Sequence, residues 1–428
     1  MIWLAILAII ALAAFGAPLF ALIAAVALIG LQLSDYESTV LAVEFNRLAE
    51  SPVLIAIPLF TIAGYVLSES GAPKRLVRLT EAMFGWLHGG LAIVAILACA
   101  MFTAFTGASG VTILAIGALI YPALRQAQYS ERFSLGLVTT SGSLGLLFFP
   151  AVPLILYGIV AQSLGTSPSA GVEDMIKAGA LPGLLMVSAL AAYSMYAAPK
   201  RAHDVPFSAA ELRAALWDAR YELPLPFIVL GGVFLGTFAA SEAAAITAAY
   251  VLIITVVIRR EIPLQRLPAV LREAMELVGA ILLILGVSLG LTYVLIDAGV
   301  PEQIFGFVNT HIGNKWAFLL LLNGFLIILG MLLDIFSATV IMVPILVPIA
   351  ISYGIHPVHL GIIFLANMQL GYFTPPVGMN LFIASFRFKT PVLVLTRACV
   401  PFFFVLLACV LLITYWPGLS LWFIPPSP

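Results

Sequence analysis

The chain has 428 residues, of which 63% are hydrophobic and only 9% charged, with a formal net charge of −1 and a mean hydropathy of +1.15. A soluble domain is about half apolar and about a quarter charged, so the composition excludes an ordinary soluble enzyme and a disordered chain. The charge balance leaves no basic surface for nucleic acid. The three cysteines, Cys99, Cys399 and Cys409, sit singly in apolar runs and form neither a disulfide framework nor a metal motif.

Charge-free windows predict an all-α polytopic membrane protein. Residues 1–51 read as a membrane helix over 2–31 followed by an outer loop. No basic residue precedes that run, so it reads as a first crossing rather than a removed signal. Residues 52–68 return. Windows 82–124, 133–172 and 335–386 are too long for a single crossing, which needs about 20 residues. Each must hold a re-entrant hairpin or a broken helix. A first repeat is predicted over 52–198, with a hairpin at about 89–122, then a crossing over 133–160 and a return over 175–198. Residues 74–88 read as an interfacial arm and 199–222 as a cytoplasmic amphipathic connector. Residues 223–273 supply two scaffold crossings and a linker, with Glu242 at a membrane-surface turn. A second repeat spans 274–416 with a hairpin at about 316–350, and 417–428 form a tail.

Lysine and arginine gather at 74–78, 125–132, 200–220, 259–272 and 387–397. The connections 32–50, 161–174, 297–315 and 352–359 are poor in them. Placing the basic clusters in the cytoplasm puts the first hairpin on the inside and the second on the outside.

The two repeats are also visible as residues. Tyr65-Val-Leu-Ser-Glu-Ser-Gly-Ala-Pro73 and Tyr293-Val-Leu-Ile-Asp-Ala-Gly-Val-Pro301 share five of nine positions at an offset of 228. Pro122, Gly145 and Pro150 recur as Pro348, Gly371 and Pro376 at an offset of 226. Glycine and proline in register over such a span indicate a duplication. With the orientation above, the copies are inverted, as in many secondary transporters.

Chemistry concentrates where the hairpins turn. The first tip carries Thr103, Thr106, Gly107, Ser109 and Gly110, and the second carries Gly330, Asp334 and Ser337. A turn at membrane depth exposes carbonyls that protein, water or an ion must satisfy. A sodium ion, which is hard and prefers oxygen, suits such a turn. The competing reading is a small-residue helix contact with hydroxyls bonded to the preceding turn. Asp334 weighs against it, because ionisable groups within apolar segments are expensive to keep there. Opposite each tip, Ser141–Pro153 and Asn367–Asn380 place glycine and proline in a crossing, predicting two discontinuous helices. Their freed carbonyls, at Gly145, Phe148, Gly371 and Thr374, are expected to face the tips. New helix N-termini near Pro153 and Pro376 would attract an anion.

Gly107-Ala-Ser-Gly110, Ser141-Gly-Ser-Leu-Gly145 with Pro150 and Pro153-Leu-Ile-Leu-Tyr-Gly158, Asp334 with Ser337-Ala338, and Thr374-Pro-Pro-Val-Gly378 form one set of motifs. On these residues the sequence resembles the large membrane subunit of tripartite ATP-independent periplasmic (TRAP) transporters. The resemblance covers nearly the whole chain. It implies an elevator-type, sodium-coupled symporter in the bacterial inner membrane, not an enzyme. A periplasmic solute-binding protein would deliver a small anionic organic acid, and a separate four-helix membrane subunit would brace the scaffold. One sodium ion would lie on Thr103, Thr106, Gly145, Phe148 and Pro150, and another on Gly330, Gly371, Thr374 and Val377. Threonine stands at 103 and 106 where many members have serine, and Phe149-Pro150 replaces Pro-Pro. Ser109, Ser141, Asp334, Ser337, Asn367 and Asn380 are expected to bind solute or couple it to sodium. A stand-alone sodium/dicarboxylate symporter with similar hairpins is the alternative reading. A channel and an intramembrane serine protease using Ser109 are weaker rivals, the latter because no histidine falls opposite that serine.

Overall fold

The computed structural model describes residues 17–34, 36–49, 52–199, 207–234, 237–300 and 314–424, together with residues 9, 11, 12, 15, 303, 305, 306, 310 and 312. The start of the expected first crossing (1–8), residues 200–206 of the connector with Lys200 and Arg201, most of 301–313, and 425–428 lie outside the described residues. Among the described residues every regular element is a helix.

The N-terminal region holds α1 (Leu19–Leu33) and α2 (Thr39–Ala49). Pro18 caps α1, so the helix begins where proline's missing N–H costs nothing. The expected outer loop is therefore largely helical. The scaffold continues with α3 (Ala56–Glu69) and the arm α4 (Ala72–Phe84). The first hairpin is α5 (Gly90–Thr106) and α6 (Ser109–Gln126). The first broken crossing is α7 (Glu131–Ser141), a 3-10 turn at Leu144–Leu147 and α8 (Val152–Ser163), bent by 41°. Helix α9 (Val172–Ala197) returns.

The connector contains α10 (Ala209–Asp218), followed by α11 (Pro224–Phe234), α12 (Ala240–Leu252, continued by a π-helical stretch, Ile253–Ile258) and α13 (Leu267–Asp297). Helix α11 has 11 residues, about 16 Å at 1.5 Å per residue, and is too short to cross the hydrocarbon by itself. Glu242 accepts from Ala239 N at 3.0 Å and so closes the start of α12, where a surface turn was expected. The second hairpin is α14 (Lys315–Leu332) and α15 (Ile335–Ser352). The second broken crossing is α16 (Pro357–Gly371) and α17 (Met379–Phe388), and α18 (Val392–Tyr415) and α19 (Gly418–Leu421) end the chain.

The helix ends repeat the sequence register. Thr106, Ser109, Gln126 and Glu131 stand 226 residues before Leu332, Ile335, Ser352 and Pro357, which bound the corresponding helices. The hairpins enter from opposite ends. Gly89, at the base of the first, lies against Met195 and Ala198 at the end of α9. Next to the base of the second, Tyr157 Oη donates to Pro357 O at 2.9 Å, and Gly361 lies against Tyr157 and Met175. Because α8 and α9 run antiparallel, these anchor points are at opposite ends of the crossing. The arms α14 and α15 are each long and apolar enough to pass for spans. Their outer ends are nonetheless tied together, by Tyr353 Oη donating to Ile312 O (2.9 Å) and by Phe318 stacked on Tyr353 at 4.3 Å.

The copies interlock. The outgoing arm of each hairpin packs on the half-helix after the other copy's break, α6 on α17 and α15 on α8. Likewise α18 packs on α7 and α9 on α16. The scaffold helices α1, α2 and α3 pack on α13, with α12 on α3.

At the basic end of the molecule a charged cluster ties the arm to the connector and the linker. Arg75 on α4 donates to Glu222 Oε1 from Nε (2.9 Å) and Nη2 (2.5 Å), and also to Glu261. Arg259 donates to the Asp218 carbonyl and lies 3.9 Å from Glu222. Glu222 is 5% exposed. A charge so buried is tolerable only when paired.

Candidate functional site

The first tip is built by glycine. Gly107, at φ +64, takes the left-handed conformation that ends α5 and donates to Thr103 O at 2.8 Å. Ala108 is extended, and α6 restarts at Ser109 with no side chain capping it. Thr103 is fully buried. Its Oγ1 donates to Gly142 O (2.8 Å) and lies 2.7 Å from Thr112 Oγ1. Thr106 Oγ1 donates to Phe102 O at 3.0 Å.

Gly145 sits on α5 so closely that a Cβ there would be 2.6 Å from Thr103 Cβ, with Ala100 O and Ala104 N nearer still. Thr103 and Gly145 are thus brought together, with Thr106 one turn further along α5. Phe148 is extended, and its ring lies against Gly183.

The second tip uses different residues for the same turn. Asp334 is the N-cap of α15: Oδ1 accepts from Phe336 N and Ser337 N, both at 3.0 Å, and Oδ2 accepts from Ser337 Oγ at 2.6 Å. The acid therefore has a structural task that its position alone did not reveal. Tyr372 Oη accepts from Ile335 N at 2.7 Å, and Met331 O accepts from Gly378 N at 3.0 Å. The tip is pinned to the second break. Gly371 and Gly330 touch through bare backbone: a Cβ on Gly371 would lie 2.5 Å from Gly330 Cα. Gly371 stands 14 residues into α16, about 21 Å from its start, so the contact is at membrane depth.

Two sequence expectations need correction here. The carbonyls of Gly145, Phe148 and Gly371 are not wholly freed: they accept from Phe148 N, Ala151 N and Thr374 N, each at 3.0 Å. A carbonyl has two lone pairs, so each keeps one that these bonds leave unused. The second new helix start is Met379, capped by Gly378, rather than Pro376, because the turn through Thr374 consumes the intervening residues. Thr374 Oγ1 donates to Leu370 O at 2.6 Å, and Val377 is 44% exposed.

Both tips border one cavity of about 460 Å³. Ser109, Asp334 and Ser337 line it, together with Gly107, Ala108, Gly110, Leu146 and Tyr372. Ser141, Asn367 and Asn380 do not line it. Ser141 Oγ donates to Leu137 O. Asn367 Nδ2 donates to Asn323 Oδ1 at 2.7 Å, where Thr414 Oγ1 also donates, forming a polar core among α14, α16 and α18. Asn380 bonds through its N–H to Tyr372 O and through Nδ2 to Thr139 O, linking the second break to α7. Tyr372 was not singled out from the sequence. Its signal was available, since it follows Gly371 as Leu146 follows Gly145, and both line the cavity.

Ser109 Oγ is buried without a hydrogen-bond partner, so no base activates it. Among the described residues no three His, Cys, Asp or Glu side chains gather to hold a metal.

The family model for the tripartite ATP-independent periplasmic transporter, DctM component, matches residues 4–419. A C4-dicarboxylate TRAP transporter large permease protein from Rhodobacter capsulatus is 34% identical over 378 residues, covering 86% of each chain. A sialic acid TRAP transporter large permease protein from Vibrio cholerae is 30% identical, covering 86% of this chain and 85% of its own. The crystal structure of the Alcanivorax borkumensis YdaH transporter has the same fold, with a TM-score of 0.63 at 15% identity over 91% of this chain and 89% of that one.

Proposed function

This chain belongs to the DctM-component family of tripartite ATP-independent periplasmic transporters, and from that premise we propose that it imports an organic acid by sodium-coupled, elevator-type movement. It is a multi-pass inner-membrane transporter subunit and not an enzyme. A periplasmic binding protein hands it the solute, and a small four-helix membrane subunit braces α1, α2, α3, α12 and α13 in the bilayer. The hairpins and broken helices move as one body against that scaffold.

The single observation that carries this reading is the meeting of two oppositely inserted tips at one cavity. Each tip presents the carbonyl end of one helix and the amide end of the next. The carbonyl ends of α5 and α14, with Gly145 and Gly371 against them, suit sodium; the amide ends suit an anion. Sodium on the carbonyl side orders the turn that positions the amide side. An unloaded tip leaves carbonyl lone pairs unsatisfied in a dry setting, which makes a partly loaded crossing costly.

Thr374→Val tests the sodium assignment. The hydroxyl already donates to Leu370 O, so its lone pairs remain for a cation. In proteoliposomes holding this chain, its small subunit and its binding protein, the half-saturating sodium concentration should rise about tenfold, equivalent to about 1.4 kcal/mol, at unchanged protein abundance. A rise below twofold would overturn the assignment. Omitting the binding protein should abolish uptake; retained uptake would favour a stand-alone symporter.

A further inference from the structure

Resting on the reading of the cavity as the solute site, we propose that it takes a monocarboxylate with a compact apolar body and excludes a dicarboxylate. The carboxylate sits on the amino-terminal end of α6. That end is open. Ala108 has no side chain with which to cap it, and no protein acceptor meets the N–H groups of Ser109, Gly110 and Val111. Ser109 adds an independent sign: the residue lines the cavity and is 2% exposed, and its buried hydroxyl has no hydrogen-bond partner. Buried hydroxyls are ordinarily bonded. A carboxylate at this point accepts from Ser109 Oγ and from the free amides together, as anions do at helix starts.

The other helix start on the cavity is already taken. Ala108 and Asp334 are equivalent positions in the two copies, 226 residues apart. Where the first copy leaves its amides bare, the second fills them with its own carboxylate, which accepts three hydrogen bonds. Asp334 is the one charged residue among those lining the cavity, which include no lysine, arginine or histidine. A second carboxylate on the solute would therefore face a carboxylate with no basic side chain beside it, at a cost that rises as the surroundings dry. Apart from the phenol of Tyr65, the remaining wall is apolar and includes Leu114, Leu277, Ile281, Ile284, Phe336 and Ile383. It suits a branched hydrocarbon body, and the volume of about 460 Å³ lies within the range of small-molecule sites, about 300–1,000 Å³.

The test is equilibrium binding of labelled 4-methyl-2-oxopentanoate and succinate to the complex of this chain with its small subunit, in lipid nanodiscs, with sodium and without binding protein. The oxo acid should bind at least tenfold more tightly than succinate. Ser109→Ala should weaken oxo acid binding at least fivefold, and Ser109→Thr should restore it. Asp334→Asn, which keeps an oxygen to cap α15, should narrow the preference to under threefold by admitting succinate, a gain that damaged folding cannot produce. Equal or tighter succinate binding by the unaltered protein, no binding of either acid, or an Ser109→Ala variant that binds like the parent would each overturn the proposal. Sodium-driven uptake by the complete system, measured alongside, separates the two levels: if it persists, only the solute class falls; if it is absent for every acid tried, the transporter reading falls as well.

Discussion

Gly371→Ala should abolish sodium-driven uptake and lower thermal stability, while Gly324→Ala on the neighbouring hairpin arm should do neither. The added methyl at 371 would meet Gly330 Cα at 2.5 Å and Met331 N at 2.8 Å. Both are backbone atoms, so no side chain can swing away, and the tip must lift from the break. Overpacking of a tight core costs about 1–3 kcal/mol, and here it also displaces the Met331 carbonyl from Gly378 N. Gly324 has no atom within 4 Å of a Cβ. Alanine there gains up to about 1 kcal/mol of helix propensity. Gly145→Ala, the equivalent change in the first copy, should repeat the loss, because Thr103 Cβ would lie at 2.6 Å. The measurements are initial uptake rate, expected to fall more than tenfold, and the midpoint of thermal denaturation in detergent. Wild-type uptake by Gly371→Ala would show that the close contact is not needed for transport.

Arg75→Ala should be the most destabilising single change at the basic end. It would leave Glu222 buried without its nearest cation, a circumstance that costs about 3–5 kcal/mol. Arg78→Ala, one turn away on α4, removes only exposed pairs with Glu211 and Asp218, which solvent screens, and should shift the midpoint far less. Denaturation midpoints of the two variants decide the matter: equal shifts would mean that the cluster contributes no more than a surface ion pair. The acid dependence has a definite sign. Burial pushes Glu261 up, but hydrogen bonds from Arg75 and Gly71 N and the charges of Arg75 and Arg259 outweigh it and hold the carboxyl below its ordinary 4.5. The stabilisation is thus complete above that value and is lost as pH falls through the lowered one. Between pH 5 and 8 Glu261 should therefore add no slope to stability.

Much of the fold was legible because membrane burial writes itself as long charge-free runs, and because glycine and proline keep register across a duplication. The hairpin limits near 89–122 and 316–350 and the breaks after Gly145 and Gly371 follow from those signals. The cluster around Arg75 was not legible. Its partners lie 147 and 186 residues away, and each charge alone looks like part of an amphipathic surface. The task of Asp334 was hidden for a related reason: an acid within an apolar run reads as a ligand, whereas capping depends on where the helix restarts. Asn367 and Asn380 lie in the right segments but face neighbouring helices, a matter of rotation about an axis that glycine–proline spacing does not fix.

The exchange of half-helices between the copies bears on how the protein is made. At about 5–20 residues per second, the ribosome needs roughly nine to fifty-four seconds to cover the 183 residues from the start of α8 to that of α15 and the 270 from the start of α6 to that of α17. Through that interval α6 and α8 are already synthesised while their partners α17 and α15 are not. The early half must wait in the bilayer with its inner faces uncovered. A newborn chain cut off before residue 335 should therefore be a ready target for membrane quality control, however sound its own helices.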